Sequence, residues 1–530
     1  MPDGLIPGAL MPDPLAKAIA LHRQGLLSQA EPLYRRVLAA KADQFDALHM
    51  LGVIALQQGR NAEALDLIRR ALAVRPNSAW AHSNLGLALR ALKRPGEAVA
   101  SFERALALSP GDIDVLNNLS STLFELKHYA DALAASERAL AIKPDCAEGF
   151  NNRGNALQEI GRLAQALASY DAALAISPDF AEAWHNRGGA LQALNRHREA
   201  VASYERALAL RGDYADAHWN ESLARLCLGD FATGFTKYEW RWRTSDADPA
   251  RRALPQPLWL GEEALQGKSI LLHAEQGVGD CLQFVRYAPM VAGRGATVVL
   301  AVHRELKSLL AGSAEAVFAE GETLPPCDLR CPLGSLPHAF RTTLATIPAD
   351  VPYLRADAAR TARWKTRLAA SRSLRVGLAW AGNPAHKNDA RRSIPFARVA
   401  PLLEIPDVQY VSLQKELREA DREALRSTPH VINFAAELVD FAETAAVVAN
   451  LDLIITVDTA LAHLAGAMSK PTWILLPFSP DWRWLLDRED SPWYPTARLF
   501  RQSQIDDWPN VIARVAAELG RFALNRPTRA

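Results

Sequence analysis

Cysteine is sparse in this 530-residue chain, which holds only Cys146, Cys227, Cys281, Cys327 and Cys331. An odd, scattered set of five excludes a disulfide framework of the kind that staples small secreted domains. Cys327 and Cys331 stand close together, yet no second pair and no neighbouring histidine completes a zinc site. An excess of either charge is also missing, since 60 basic residues face 59 acidic ones. That balance excludes nucleic-acid binding through bulk charge, and it excludes an acidic, solvating disordered chain. No apolar run approaches the length needed to span a bilayer. The stretch MPDGLIPGALMPDPLAKAIA carries Asp3 and Asp13, four prolines and no basic residue before Lys17, which is not the pattern of a secretory signal. The composition predicts a soluble cytoplasmic protein without a metal centre. Its 49% apolar residues suffice for large cores. At roughly 150 residues per domain, the length allows three or four units.

What is present is a period. Pro76, Pro110, Pro144 and Pro178 follow one another at intervals of 34, with Gly212 next in register. Alanine holds two further columns, at 64, 98, 132, 166 and 200 and at 71, 105, 139, 173 and 207. Gly52, Gly86, Ser120, Gly154, Gly188 and Ser222 form a small-residue column; Ile68, Phe102, Ser136, Tyr170 and Tyr204 form a mostly bulky one. Each unit reads as two amphipathic helices. In 79–112 the first runs from about Ala79 to Leu92, Arg94-Pro95-Gly96 makes the turn, and the second runs from Glu97 to Leu108. Small residues let the two helices approach, while Leu85, Leu89 and Phe102 fill between them. This 34-residue pattern resembles the tetratricopeptide repeat (TPR) over residues 11–248.

Asn84, Asn118, Asn152, Asn186 and Asn220 keep the same interval. Each lies two residues before the small column, roughly 150° around the helix from the stripe of His82, Leu85, Gly86 and Leu89, and so outside the helix-pair core. Asparagine is a mediocre helix former, so folding alone gives no reason to keep choosing it there. Two readings stay open. The amides form a ladder that binds the backbone of an extended peptide, or they are shared by duplication and bonded locally. The TPR superhelix of the protein O-GlcNAc transferases uses such a ladder, and the resemblance implies the first reading.

After residue 248 the period changes to alternating strand and helix. Strands are expected at Ser269–His273, Ala296–Val302, Leu374–Ala381, Val408–Leu413, near 431–434, at Leu453–Val457 and at Thr472–Leu476. Helices are expected at 281–292, from 304, at 442–450 and from Thr459, with a Pro-rich stretch at 325–337. An amphipathic segment at 506–523 suits a C-terminal helix crossing back toward the first α/β half. Two such halves suggest doubly wound domains facing one cleft.

Several residues fall where strands give way to helices. Asp280 follows the first strand, in a position to take a proton from an acceptor hydroxyl or to cap the helix. Gly277 and Gly279 beside it let a substrate approach the backbone. Lys387, Arg391 and Arg392 would stabilise a leaving nucleoside phosphate, or form a solvated basic loop. Asp458, Thr459 and Ala460 open a helix whose first amides would cradle an anion; Asp458 itself would cap that helix or bind a donor hydroxyl. His463 lies one turn further on, reaching the same cleft or packed in the core. Gln414 and Lys415 end a strand and are candidate donor contacts. Trp482, Trp484 and Trp493 would stack on a sugar or base, or pack in the core and at the domain interface, and packing is the expected use.

The strand–GVGD–helix at 269–292, the loop GNPAHKNDARRSIP at 382–395 and VDTALAHLAGAMSKP at 457–471 are similar, in order and spacing, to heptosyltransferase-type GT-B glycosyltransferases. The resemblance covers 267–525. It implies an all-α TPR superhelix followed by an α/β GT-B module of two Rossmann-like domains. The expected limits are a tail at 1–10, repeats at 11–248, a linker at 249–266, an acceptor-side domain at 267–372 and a donor-side domain with its terminal helix at 373–530. Joined to TPRs, the module is similar to bacterial TPR–glycosyltransferase fusions. That likeness implies metal-independent transfer from a nucleotide-sugar, without a cofactor, to a protein acceptor such as flagellin, with Asp280 as base. The second function class is a TPR scaffold whose glycosyltransferase-like part binds nucleotide without turnover.

Overall fold

The computed structural model describes residues 13–244, 254–368, 373–386 and 388–524. The expected tail 1–10 and part of the linker 249–266 lie outside these residues. Two compact units divide the chain, Met1–Ala190 and Leu191–Ala530.

In the first unit the period is laid down as helix hairpins, such as Ala79–Ala91 with Pro95–Leu108 and Ala147–Glu159 with Leu163–Ile176. Ser78 caps one helix by accepting from the Ala81 N–H, and Asp112 caps another by accepting from Val115. The turn between paired helices demands one left-handed residue. Gly25, Gly59, Lys93, Lys127 and Gly161 supply it, each 34 after the last and all at positive φ. At Lys93 the closure is a Schellman motif, with Lys93 N–H donating to Arg90 O (3.0 Å) and Arg94 N–H to Leu89 O (2.9 Å). Pro95 is then the first residue of the second helix, two before the expected Glu97, because its missing N–H has no partner to lose there.

The small and bulky columns meet inside hairpins of the first unit. A Cβ on Gly86 would lie 2.5 Å from the Phe102 ring, and one on Gly154 2.5 Å from Tyr170. Where the small column carries Ser120, the bulky column carries Ser136. Their hydroxyls turn to the backbone, donating to Ala132 O and Leu133 O (2.8 Å each).

The second unit begins with repeat helices His197–Leu210, Ala215–Cys227 and Phe231–Tyr238, then a 3-10 turn, Glu239–Trp242. Phe231, Phe235 and Tyr238 are buried and meet Trp482 edge to face, with ring centroids 6.2, 5.6 and 6.3 Å away. Trp482, Trp484 and Trp493 are core residues, as their apolar bulk led us to expect. Two wholly parallel sheets follow. The first has strands β1 (Ser269–His273), β2 (Thr297–Val302), β3 (Ala316–Ala319) and β4 (Leu329–Pro332) in the order β3-β2-β1-β4. The second has β5 (Leu374–Ala379), β6 (Val408–Ser412), β7 (Val431–Asn433), β8 (Leu453–Val457), β9 (Thr472–Leu476) and β10 (Ala497–Arg501) in the order β10-β9-β8-β5-β6-β7. Strands β5, β8 and β9 are buried along their whole length, as central parallel strands covered on both faces must be.

Three expectations need correction. The helix after β1 is not continuous over 281–292. It runs as Val278–Phe284, a 3-10 turn Val285–Tyr287, and Ala288–Ala292, where Pro289 sits at the start of the last piece. Strands β3, β4 and β10 were not foreseen; each lies at the edge of its sheet. The terminal helix, Trp508–Leu524, does not cross to the first sheet: Trp508, Val511, Ile512, Val515 and Leu519 join the core of the second, with Phe396, Trp473 and Phe500.

The hairpin fit sets the first test. Gly86→Ser and Phe102→Ser each destabilise the chain, the first by roughly 1–3 kcal/mol through overpacking. The double variant costs less than the sum by about 1 kcal/mol or more, since it recreates the Ser120–Ser136 pair. Urea denaturation of the four proteins checks this; strict additivity refutes it.

Candidate active site

Ligands of open parallel sheets bind outside the carboxyl ends of the strands, where the strand order reverses. The order reverses between β1 and β4 in the first sheet and between β5 and β8 in the second. Asp280 follows β1, Arg392 follows β5, and Asp458 follows β8. The helix that carries Asp280 packs on the helix Ala460–Ala467. Gly279 permits this approach, because a Cβ there would lie 2.9 Å from His463 Cδ2 and 3.5 Å from Ala460 Cα. Its missing side chain thus makes room for a helix, where the sequence had suggested room for substrate. Gly277 leaves space for the Asp280 carboxylate, which a Cβ would approach to 3.2 Å.

Asp280 is not a cap. The N-cap position belongs to Gly277, and Asp280 stands in the first turn with its side chain a quarter exposed. Its carboxylate pairs with Arg483, whose other nitrogens reach Gln283 Oε1 and Asp481 Oδ1 (2.9 Å). Burial opposes the charge of Arg483, but Asp481 and Asp280 outweigh it and raise the guanidinium above its ordinary value.

On the second sheet, Arg392 donates to the Asp458 carbonyl oxygen (2.9 Å). Asp458 is buried, and burial together with the charge of Asp481 pushes its carboxyl up to about 6 against the pull of Arg392. Thr459 is the N-cap of the following helix, and its hydroxyl lies 3.2 Å from that of Thr456. Ala460 is the first helical residue. Arg391 and Lys415 are exposed, and Lys387 lies outside the described residues. The loop that carries the arginines is fixed by buried Asp389, which accepts from Ser393 Oγ (2.7 Å) and pairs with Arg418.

Two candidates are bonded within the protein. Gln414 accepts from the Trp380 and Ala381 amides (3.1 and 3.0 Å) and donates to Ala381 O and Glu416 O (2.9 and 3.1 Å). That uses both donors and both lone pairs, leaving none for a ligand. His463 is 5% exposed, hydrogen-bonds Tyr494 Oη through Nδ1 (2.9 Å) and stacks on Trp484. Burial foremost, with Arg483, Arg286 and Arg392 adding to it, holds this imidazole well below its usual range and therefore neutral.

The sequence missed Arg483, Asp481 and Arg241. The first two sit in Asp481-Trp482-Arg483-Trp484, beyond the carboxyl end of β9; a cation between tryptophans at a strand end was the available signal. Arg241 is buried beside Glu275, whose carboxyl burial pushes up to about 7. Among the described residues, no three His, Cys, Asp or Glu side chains are placed to share a metal ion.

The asparagine column is half-buried. Asn152 donates to Asn117 O (3.4 Å), Asn186 to Asn151 Oδ1 (3.0 Å), and Asn84 Nδ2 lies 2.9 Å from His49 Nε2. Each reaches back 35 residues, to the first helix of the preceding repeat, which supplies a local reason for the column. Asn118 and Asn220 are half-buried in their own repeats.

Family models described as tetratricopeptide repeat match residues 15–79, 49–113, 89–151 and 181–214, and one described as TPR repeat matches 155–195. A glycosyltransferase family 9 (heptosyltransferase) model matches 409–476, from within β6 to the end of β9. Protein FlbA of Caulobacter vibrioides is 30% identical over 326 residues, 56% of this chain and 54% of that protein. The chain thus spans about half the length of the curated relative it matches. Among solved structures, YrrB, a TPR protein with an unusual peptide-binding site, is 21% identical, with a TM-score of 0.30 over 35% of this chain and 95% of its own. Pseudomonas aeruginosa pilF is 23% identical, with a TM-score of 0.35 over 38% of this chain and 93% of its own. The chain therefore joins tetratricopeptide repeats to an α/β region of parallel sheets, of which residues 409–476 match a glycosyltransferase family. No helix among its described residues is long and apolar enough to cross a membrane.

Arg483 sets a second prediction. Arg483→Met leaves Asp280 and Asp481 without their shared cation and removes a positive charge that favours ionised Asp458, at a cost of about 3–5 kcal/mol at pH 8. A carboxyl whose folded pKa is raised loses stability as pH climbs through that value, and Asp458 is already at about 6. The deficit of the variant therefore shrinks on going from pH 8 to pH 5, where the Asp458 carboxyl takes up a proton. Thermal melting of both proteins at the two pH values reads it; a deficit independent of pH refutes the assignment.

Proposed function

We propose that the chain is a GT-B glycosyltransferase that moves a sugar from a nucleotide-sugar to a protein acceptor gathered by its repeats. The observation that carries this reading is the packing of the Asp280 helix on the helix that follows Asp458, within a region matched in part to glycosyltransferase family 9. On this reading the acceptor hydroxyl oxygen attacks the anomeric carbon while Asp280 takes the hydroxyl proton. The bond from that carbon to the phosphate oxygen breaks, and the electron pair leaves with the nucleoside phosphate. Arg392 and the first-turn amides after Thr459 stabilise the departing charge, with Arg391 and Lys387 on the same loop. The transfer is metal-independent, because these cations and amides take the role a metal would have. Repeats that bind an extended chain suit a protein acceptor, and the likeness to TPR–glycosyltransferase fusions points to a flagellin-like one.

A second reading is favoured by one observation, the engagement of the Asp280 carboxylate by Arg483. In it, the α/β region binds nucleotide and the repeats bind a partner, with no turnover.

Asp280→Asn separates the two. It keeps the size of the side chain but cannot take up the proton, so transfer falls by roughly 10²–10⁴-fold while donor affinity stays near that of the native protein. Arg392→Ala weakens donor binding instead. Single-turnover transfer and donor titration with chelator present measure both. Native turnover by Asp280→Asn sinks the base assignment; absent turnover by the wild type with every donor, alongside intact partner binding, favours the scaffold. On the acceptor side, replacing Asn118, Asn152 and Asn186 with Ala weakens acceptor capture and spares donor binding, and equal acceptor affinity excludes the ladder.

A further inference from the structure

The loop that leads from β1 to the helix of Asp280 is fastened from outside its own sheet. Ala274 is tied to β2 through its N–H, which donates to Ala301 O (2.8 Å). Beyond it, Glu275 Oε1 accepts from Gly334 N–H (3.1 Å) and from Arg241 Nη2 (3.0 Å). The Gln276 side chain accepts from Tyr238 Oη (2.8 Å), and its carbonyl oxygen lies 2.7 Å from His303 Nε2. Tyr238 and Arg241 are residues of the last repeat. Tyr238 falls 34 after Tyr204, in the bulky column, with its ring 4.7 Å from that of Trp219.

Arg241 closes a ring of bonds. The nitrogen that reaches Glu275 also donates to Ser335 Oγ (2.7 Å), Ser335 donates to Glu239 Oε2 (2.9 Å), and Glu239 Oε1 accepts from Arg241 Nη1 (2.7 Å). The ring joins the end of the repeats to the loops after β1 and β4, which flank the point where the order of the first sheet reverses. Arg241, Glu275 and Ser335 are all buried. A buried carboxylate that loses its cation must protonate or move toward water, and the loop holding it moves with it.

We propose that Arg241 is a positioning residue for Asp280: from the last repeat it locks the loop 274–277, and so sets the start of the helix that presents the carboxylate. Its catalytic consequence rests on the transferase reading, whereas its hold on the loop does not.

The test uses full-length wild type, Arg241→Met and Arg241→Lys. Hydrogen exchange of 274–284 accelerates about tenfold or more in Arg241→Met, while 453–467 keeps its protection. Affinity for UDP, ADP and GDP, titrated in turn, stays within about twofold, whereas kcat for donor turnover falls about 10²-fold at unchanged donor KM. Arg241→Lys, which keeps the charge, recovers part of both effects. If Arg241→Met does not fold, Ser335→Ala removes one bond of the ring and gives a smaller acceleration confined to 274–284. Unchanged exchange in that segment, or acceleration spread equally over 453–467, overturns the proposal. A wild type that turns over no donor ends the transferase reading, and the exchange comparison still decides whether Arg241 holds the loop.

Discussion

The α/β region depends on one guanidinium. Arg483 comes from the loop after β9, yet two of its partners, Asp280 and Gln283, lie on the helix after β1. It thereby ties the first sheet to the second at the place where Gly279 brings their helices into contact. A buried cation so placed must be matched by carboxylates, and Asp280 and Asp481 match it. Burial foremost raises the proton affinity of the neighbouring Asp458; within the cluster Asp481 raises it further, and Arg392 and Arg483 lower it. The site is an electrostatic balance of three carboxylates and two guanidiniums.

The repeats were legible because a helix hairpin imposes several requirements at fixed spacing. A small residue must face a bulky one, and a turn must tolerate positive φ. The strands of the α/β region were legible where both faces are buried, as in β8 and β9, and were missed at the sheet edges β3, β4 and β10. Positions at strand ends were also readable: Asp280, Arg392 and Asp458 stand where topology puts ligands. Chemistry at those positions was not. Gln414 and His463 carry polar groups near the strand ends, but Gln414 spends its bonds on Trp380, Ala381 and Glu416, and His463 bonds Tyr494 through Nδ1. Arg483 acts across more than 200 residues of chain, and pairings of that range leave no periodic trace.

The asparagine column shows how one pattern can answer to two pressures. Asn152 and Asn186 use amide hydrogens to bind the preceding repeat, which explains their persistence without a ligand. A side chain committed in this way is also held in a fixed rotamer, and fixed polar groups bind with less entropic loss than free ones. Stacking and recognition are therefore compatible uses of the same residue.

The fit between the small and bulky columns also bears on how such an array grows. Gly86 meets Phe102 within one hairpin, and in the next hairpin Ser120 and Ser136 stand at the same two positions. A whole hairpin is thus a self-consistent unit of inheritance, which duplication or deletion can move without leaving a clash behind. An exchange that breaks between the two helices would set a ring against a serine or leave a void. Recombination is tolerated at the joints between hairpins, so array length is free to drift while each hairpin keeps its own internal fit.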